Sequence, residues 1–205
     1  MSKDIYIYGA GGHAKVVASA ARLCGYVVKG FWEDSKERVG MDFFGSKIIA
    51  VEEIPEGALA FIAFGNNAIR LQRGRMLASR FVFPSICHPS AQIAHGVEIG
   101  CGCYFGALCN VDPGCKIGDF CIVNNNANLS HDTVLSDGCH ICGGANIAGN
   151  GRIGRCAMMG IGSCMIENHS IGDNAIVGAG STVLRDIPPG CTAVGCPAKI
   201  IKQTE

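Results

Sequence analysis

The chain carries no excess of either charge. Its 205 residues include 17 Lys and Arg against 17 Asp and Glu, and no basic cluster interrupts the balance. Nucleic-acid binding needs a concentrated positive face, so nucleic acid is not an expected partner. No apolar run approaches membrane-spanning length, and Met1-Ser2-Lys3-Asp4 leads straight into a strand with no signal-peptide pattern. The expected location is therefore the cytoplasm, without membrane insertion. No Ser or Cys nucleophile constellation is evident. His131 and His140 fall on different faces of the repeat described below, and no third His completes a triangle, so no metal site is expected.

What the chain does have is a period of six. An aliphatic residue, Met or Phe returns at every sixth position from Ile93 through Ile99, Phe105, Val111, Ile117, Val123 and Leu129 to Val177 and Val183. Neither the helical period of 3.6 nor the strand period of 2 produces this. A hexapeptide repeat marks a β-solenoid, in which each short strand buries one residue and then turns a corner. The residue two places earlier shares the inward face and is usually small: Ala91, Cys103, Cys109, Cys115, Cys121, Ala127, Cys139. This phase accounts for five of the 13 cysteines. They act as slightly enlarged alanines, which indicates free thiols in a reducing compartment rather than a disulfide framework. Gly often follows the aliphatic (Gly100, Gly118, Gly154, Gly172, Gly178), where a corner is expected to need positive φ.

Residues 1–83 are patterned differently. Ile5–Tyr8 is an apolar strand entering Gly9-Ala10-Gly11-Gly12-His13-Ala14, with a helix to Cys24 closed by Gly25. A second strand, Tyr26–Trp32, ends at Glu33-Asp34. A third, Ala58–Phe64, is followed by Gly65-Asn66-Asn67 and a helix to Arg80. The alternation predicts a Rossmann-like parallel α/β domain over 1–83, with the hexapeptide domain and its tail over 84–205. The loop has the form G-x-G-x-x-A after a strand, with acids about twenty residues on, as in dinucleotide sites. A unit of this size favours one nucleotide diphosphate over a nicotinamide cofactor; a ligand-free tight turn is the alternative.

Three hexads per coil would stack residues eighteen apart. The outward residue before each aliphatic then sorts into three flats. Gln92, Asn110, Asn128 and Asn146 share one, where an amide ladder is expected. Glu98, Lys116, Val134 and Arg152 share the second. Tyr104, Ile122, His140, Met158 and Ile176 share the third. The third is largely apolar and predicts packing against sister chains. His131 follows Leu129 by two places, at a corner, with Asp132 beside it. Such a pair suits a base whose tautomer a carboxylate holds, although a surface-turn His with an acidic neighbour looks the same in sequence. His95 has the same phase two coils earlier, roughly 10 Å away. His140 reads as a ligand-contact or interface residue, and His169 as an inward structural one.

These segments resemble a known family. Ile5–His13, Phe61–Arg70, Ser130-His131-Asp132, the hexads and Gly195-Cys196-Pro197-Ala198-Lys199 are similar to the bacterial left-handed β-helix N-acetyltransferases. These act on the 4-amino group of nucleotide-linked 4-amino-deoxy sugars, as in the UDP-bacillosamine pathway, and sialic acid O-acetyltransferases are related. The resemblance covers nearly the whole chain. It implies a left-handed parallel β-helix, a homotrimer, and acetyl-CoA as cosubstrate in the groove between neighbouring prisms. It also implies a nucleotide sugar held by Gly11, Gly12, His13, Glu33, Asp34 and Gly65. His131 matches the catalytic base and Asp132 its tuning acid, shortened from Glu. His140, Ile161 and Ala179 match acetyl-CoA contacts, the Ala replacing a Gly, and Glu33 stands where the bacillosamine enzyme has Asp. The activity implied is direct N-acetyl transfer; sugar O-acetyl transfer is the alternative.

Overall fold

A computed structural model describes residues 3–203. The chain opens with β1 (Lys3–Tyr8), α1 (Gly12–Leu23) and β2 (Tyr26–Trp32), followed after a small hairpin by β3 (Leu59–Ile62) and α2 (Asn67–Leu77). The three strands are parallel in the order β2-β1-β3, so β1 lies inside the sheet with Ile5 and Ile7 fully buried. The αL conformation of Gly25, at φ +80°, ends α1. Asn66 caps α2, its side-chain oxygen accepting the Ile69 N–H at 3.0 Å. Sequence patterning located both helices and all three strands of this small parallel α/β unit.

From Ile86 onward the chain winds a β-solenoid. Two-residue strands stack in parallel at eighteen-residue spacing, for example Asn110 on Asn128, Lys116 on Val134 and Ile122 on His140. They form three sheets whose membership is that of the three flats read from the sequence. The aliphatic column and the thiols of Cys103, Cys109, Cys115, Cys121 and Cys139 fill the interior. Cys139 and Cys142 have the C-x-x-C spacing, but both are buried free thiols, and the Cys139 Sγ donates to the Gly154 carbonyl at 3.0 Å. The repeat extends beyond its aliphatic signature. Ile86–Cys87 pairs with Tyr104–Phe105, with Cys87 in the inward phase, so the first rung is hidden in sequence by a thiol. At the other end Ile187 bridges to Ile171 and Ala193 pairs with Val177. The Asp186-Ile187-Pro188 segment therefore shortens one coil by two residues rather than ending the solenoid.

Several expectations require correction. The Gly residues following the aliphatics do not have positive φ. They allow coils to approach each other: a Cβ on Gly118 would lie 2.5 Å from the Asp137 carboxylate and 2.7 Å from its amide. Positive φ falls two residues later, at Gly102, Gly114, Asp132, Asn150 and Asn168 among others. The amide ladder closes at one rung, Asn110 donating to Asn128 at 2.9 Å; Asn146 turns instead to the Gly144 carbonyl at 2.8 Å. His169 does not point inward but reaches Asp186, with its Nδ1 at 3.1 Å, because the coil beyond it is the shortened one. The apolar flat is also not bare. Tyr104 and Ile122 are each 1% exposed, packed in one cluster with Ile5, Ile7, Ala14 and Val17, so the chain's own α/β unit covers them. On this flat, Ile176 remains exposed.

The α/β unit is held on the solenoid through α2. Arg70 is fully buried, and its fork reaches both parts of the molecule. Nε donates to the Phe120 carbonyl at 2.8 Å, Nη1 to Phe64 at 2.9 Å and Gly65 at 3.5 Å, and Nη2 to Asn67 Oδ1, Gly138 and Cys139 at 2.9, 2.8 and 3.2 Å. All five N–H groups have acceptors, and none of these acceptors is a carboxylate. One turn further along α2, Gly74 leaves room for the Phe120 ring, which a Cβ there would meet at 2.4 Å. Phe120 adopts φ +54°, a strained corner for a bulky residue, and its ring is buried against Phe83 and α2 as a result.

Arg70→Met should lower the unfolding free energy by about 3 kcal/mol or more, since the Phe64, Phe120 and Gly138 carbonyls lose a charged donor and stay buried. Urea denaturation should show a lowered midpoint. Arg70→Lys should restore little of it, because a point ammonium cannot span the fork.

Candidate functional site

His131 occupies the corner after strand Asn128–Leu129 and is exposed. Its Nδ1 lies 2.8 Å from Asp132 Oδ2. This contact fixes the tautomer: the proton sits on Nδ1, facing the carboxylate, and Nε2 is left as the acceptor. Asp132 reaches back because it takes the αL corner at φ +60°, a conformation short acidic side chains tolerate. Two Gly residues, one coil to either side, make room for the pair. A Cβ on Gly149 would lie 2.5 Å from His131 Nε2, and one on Gly114 would lie 2.3 Å from Asp132 Oδ1. The His131 ring thus lies over the backbone of Gly149, eighteen residues on.

The predicted nucleotide residues lie at the C-terminal ends of β1, β2 and β3. Gly11 is the N-cap of α1, and Cβ atoms on Gly11, Gly12 or Gly65 would meet nothing within 4 Å, so all three present open backbone. His13 turns away from the loop mouth. Its ring stands edge-on to Tyr104 at 5.5 Å, and its Nε2 is buried with no partner. Burial, and next the Arg70 charge, push its pKa down to about 4. The two acids behave differently. Asp34 accepts from the Tyr8 hydroxyl and from Arg73 Nη2, the latter at 2.7 Å. Burial and this bond to Asp34 raise the Tyr8 phenol pKa. Glu33 is paired through Oε2 with Arg38 at 3.0 Å, while Oε1 is buried without a partner. Both acids line a cavity of about 490 Å³ with Tyr8, Trp32, Ile49 and Arg80.

His140 sits on the covered flat beside the α/β unit. Its Nε2 is 3.5 Å from the Asn124 amide, and its Nδ1 is buried and unpaired. Burial first, then Arg70 and His13, lower its pKa to about 3, so it is a neutral imidazole. Ile161 and Ala179 are exposed, stacked one coil apart at the corner that follows this flat. The structure therefore brings His13 and His140 together beside the glycine loop, with Ile161 and Ala179 at the adjoining edge. It does not bring His131 to them: that residue stands on a different edge, after the Asn110–Asn128 flat. Arg70, Gly149, Gly114 and Arg73 were not singled out from sequence. Of these, Gly149 and Gly114 follow from the eighteen-residue stacking once His131 and Asp132 are chosen. Among the described residues, no group of three or more His, Cys, Asp or Glu could hold a metal ion, and no helix is long and apolar enough to cross a membrane.

The chain is similar to known acetyltransferases over nearly its whole length. Residues 4–77 match the family described as the PglD N-terminal domain. A variant of perosamine N-acetyltransferase from Caulobacter crescentus, solved in complex with CoA and GDP-perosamine, is 31% identical; the match covers 97% of each chain with a TM-score of 0.90. The acetyltransferase domain of PglB from Neisseria gonorrhoeae, in complex with acetyl coenzyme A, is 33% identical over 98% of this chain and 100% of that one, with a TM-score of 0.89. Among curated relatives, the mitochondrial serine acetyltransferase 3 of Arabidopsis thaliana is 44% identical over 50 residues, a segment that is 24% of this chain and 13% of that protein. The fold is shared over nearly the whole chain with acetyltransferases, and the protein is an acyltransferase. The chain belongs to the bacterial left-handed β-helix acetyltransferases that act on nucleotide-linked amino sugars.

The depressed pKa values of His13 and His140 tie stability to pH. Both rings are neutral in the fold but titrate near 6.5 when unfolded. Below that value the unfolded chain binds more protons, so stability is complete above about pH 6.5 and falls as pH drops toward 4. By pH 4.5 each ring should account for on the order of 2 kcal/mol. Melting temperatures measured from pH 7 to 4.5 should fall steeply, and His140→Gln should flatten the slope.

Proposed function

We propose that the protein transfers the acetyl group of acetyl-CoA to the 4-amino group of a nucleotide-linked 4-amino-deoxy sugar. The observation that carries this reading is the exposed His131–Asp132 pair, with its Nε2 lying over Gly149. It is supported by relatives that match nearly the whole chain and were solved with CoA and GDP-perosamine and with acetyl coenzyme A. Residues 1–83 form a Rossmann-like domain that holds the nucleotide sugar, with the diphosphate at Gly11, Gly12 and His13, the nucleoside near Glu33 and Asp34, and a further contact at Gly65. Residues 84–205 form the acetyltransferase domain, with acetyl-CoA along His140, Ile161 and Ala179.

The transfer is direct. The sugar amine attacks the thioester carbonyl as His131 Nε2 takes its proton, forming the C–N bond and a tetrahedral intermediate; the C–S bond then breaks as the imidazolium returns the proton to sulfur, leaving the amide and CoA as the thiol. Asp132 orients the ring and stabilises it when charged. The Gly149 amide N–H, which donates to no backbone carbonyl among the described residues, suits a developing oxyanion. A neutral His140 also suits contact with an uncharged thioester. His131 and the acetyl-CoA residues stand on different edges of one prism, and a homotrimer resolves this by bringing one edge of each chain against another edge of its neighbour. The setting is the cytoplasm, where acetyl-CoA and nucleotide sugars are both available.

Kinetic assays that follow free CoA over UDP-, dTDP- and GDP-linked 4-amino sugars test the reading. His131→Ala should lower kcat by at least a hundredfold with melting temperature unchanged, and Asp132→Asn should cost less. Gly149→Ala should cost tenfold or more, since its Cβ would occupy the place of His131 Nε2. Wild-type kcat in His131→Ala would overturn the assignment of the base.

A further inference from the structure

Corners of the solenoid close in more than one way, and the corner that carries His131 is closed by a side chain. At the corners ending in Ala127, Ala145 and Ala157, the amide of that residue donates to the carbonyl three places back, each at 3.1 Å. Among the described residues, no such backbone bond closes the corner Ser130-His131-Asp132-Thr133. The Thr133 hydroxyl donates to the Ser130 carbonyl at 2.7 Å instead, and the Cys115 thiol, one coil earlier, adds a second donor at 3.3 Å. Thr133 is 0% exposed. The inward small sites of this interior are mostly Cys or Ala, and a hydroxyl there is unfavourable unless it is bonded. Among the described residues, the buried Ser and Thr side chains are Thr133, Ser163 and Ser181. Each ends a corner that holds a residue assigned above to catalysis or to acetyl-CoA: His131, Ile161 and Ala179. Ser163 repeats the bond, donating to the Gly160 carbonyl at 2.7 Å.

Given that His131 is the base, as proposed above, we infer that Thr133 is the residue that positions it. The Ser130 carbonyl belongs to the peptide plane that leads into His131. Holding that carbonyl holds the plane, and with it the direction in which the His131 side chain leaves the backbone. Two further bonds tie the corner to the coils on either side: the Asp132 N–H donates to the Pro113 carbonyl at 3.1 Å, and the Asn150 N–H to the His131 carbonyl at 3.0 Å. Those bonds set the height of the corner along the prism, and the hydroxyl sets its curvature. The ring itself is exposed, with its Nδ1 on Asp132, so the backbone beneath it must supply much of its aim over Gly149. A shift of about 1 Å in a reacting group can cost about a hundredfold in rate. Thr133 touches neither substrate nor reacting atoms and acts only through the imidazole.

Thr133→Val keeps the branched shape and removes the donor. The Cys115 thiol stays on the Ser130 carbonyl, so the melting temperature should remain near that of the wild type. In assays that follow free CoA with a nucleotide-linked 4-amino sugar, kcat should fall about tenfold while KM for each substrate changes by less than about twofold. Thr133→Ser retains the hydroxyl and should recover most of kcat. Thr133→Ala, which places here the residue the repeat carries at Ala127 and Ala145, should lose kcat as Val does and serves if the Val variant does not fold. The decisive readout is a double-mutant cycle: in a His131→Ala background, removing the Thr133 hydroxyl should change kcat by less than about twofold, since the group it positions is gone. A further loss of about tenfold in that background, an unchanged kcat in the folded single variants, or a rise in KM alone would overturn the positioning role and leave the base assignment standing. Wild-type kcat in His131→Ala would remove the base and this role together.

Discussion

A buried guanidinium joins the two parts of the molecule. The solenoid can close its own interior, and the three-stranded unit has its own sheet, but their mutual position is set where α2 meets two successive corners of the prism. Arg70 supplies donors to carbonyls on both sides, Asn67 adds two bonds to the Cys156 and Ala157 carbonyls, and Arg75 pairs with Asp137 at 2.7 Å. Corner carbonyls between coils are otherwise hard to satisfy away from water. An Arg suits this seam because its five donors are fixed in one plane and match several carbonyls at once. Desolvation lowers its pKa to about 10, still well above neutrality, so the charge persists inside the protein.

That charge shapes the surroundings. With no carboxylate to neutralise it, Arg70 contributes, after burial itself, to keeping His13 and His140 unprotonated. Two rings that look in sequence like candidate acids or bases are thereby removed from proton chemistry near pH 7, whereas His131, exposed and paired with Asp132 on another edge, keeps Nε2 as an acceptor. The difference arises from position. A corner side chain projects into solvent, whereas a residue on the covered flat is enclosed by the α/β unit.

Most of the solenoid was legible because its rule is simple. One phase and one spacing of eighteen assign every outward residue to a flat, and the pairings follow that assignment to the residue. The rule is blind where chemistry substitutes for shape, as when Cys87 fills an aliphatic position. It is blind also to what covers a face. Tyr104 and Ile122 read as an apolar stripe awaiting a sister chain, yet the sequence pattern of the α/β unit does not reveal that α1 and β1 pack there. Arg70 lay within a recognisable segment, but a lone Arg in a helix carries no signal of burial; its role depends on carbonyls about fifty and seventy residues away. The His131–Asp132 pair was readable because its partners are adjacent in sequence.

The same electrostatics bear on what the glycine loop can hold. The chain as a whole is neutral, but α1 has no acidic residue in its first turn to offset the partial positive charge of its N-terminus. The Arg70 charge, which has no carboxylate among its hydrogen-bond partners, acts on His13 after burial itself and helps hold that ring neutral. Gly11 and Gly12 leave the backbone amides unobstructed. A protonated imidazole at this point would be repelled from two sides, whereas an anion would relieve both. The loop is therefore already arranged for negative charge before any ligand arrives, and the energetic cost of that arrangement is spread over the buried fork that holds the α/β unit in place. The proposed diphosphate contact at Gly11 and Gly12 rests on these unobstructed amides.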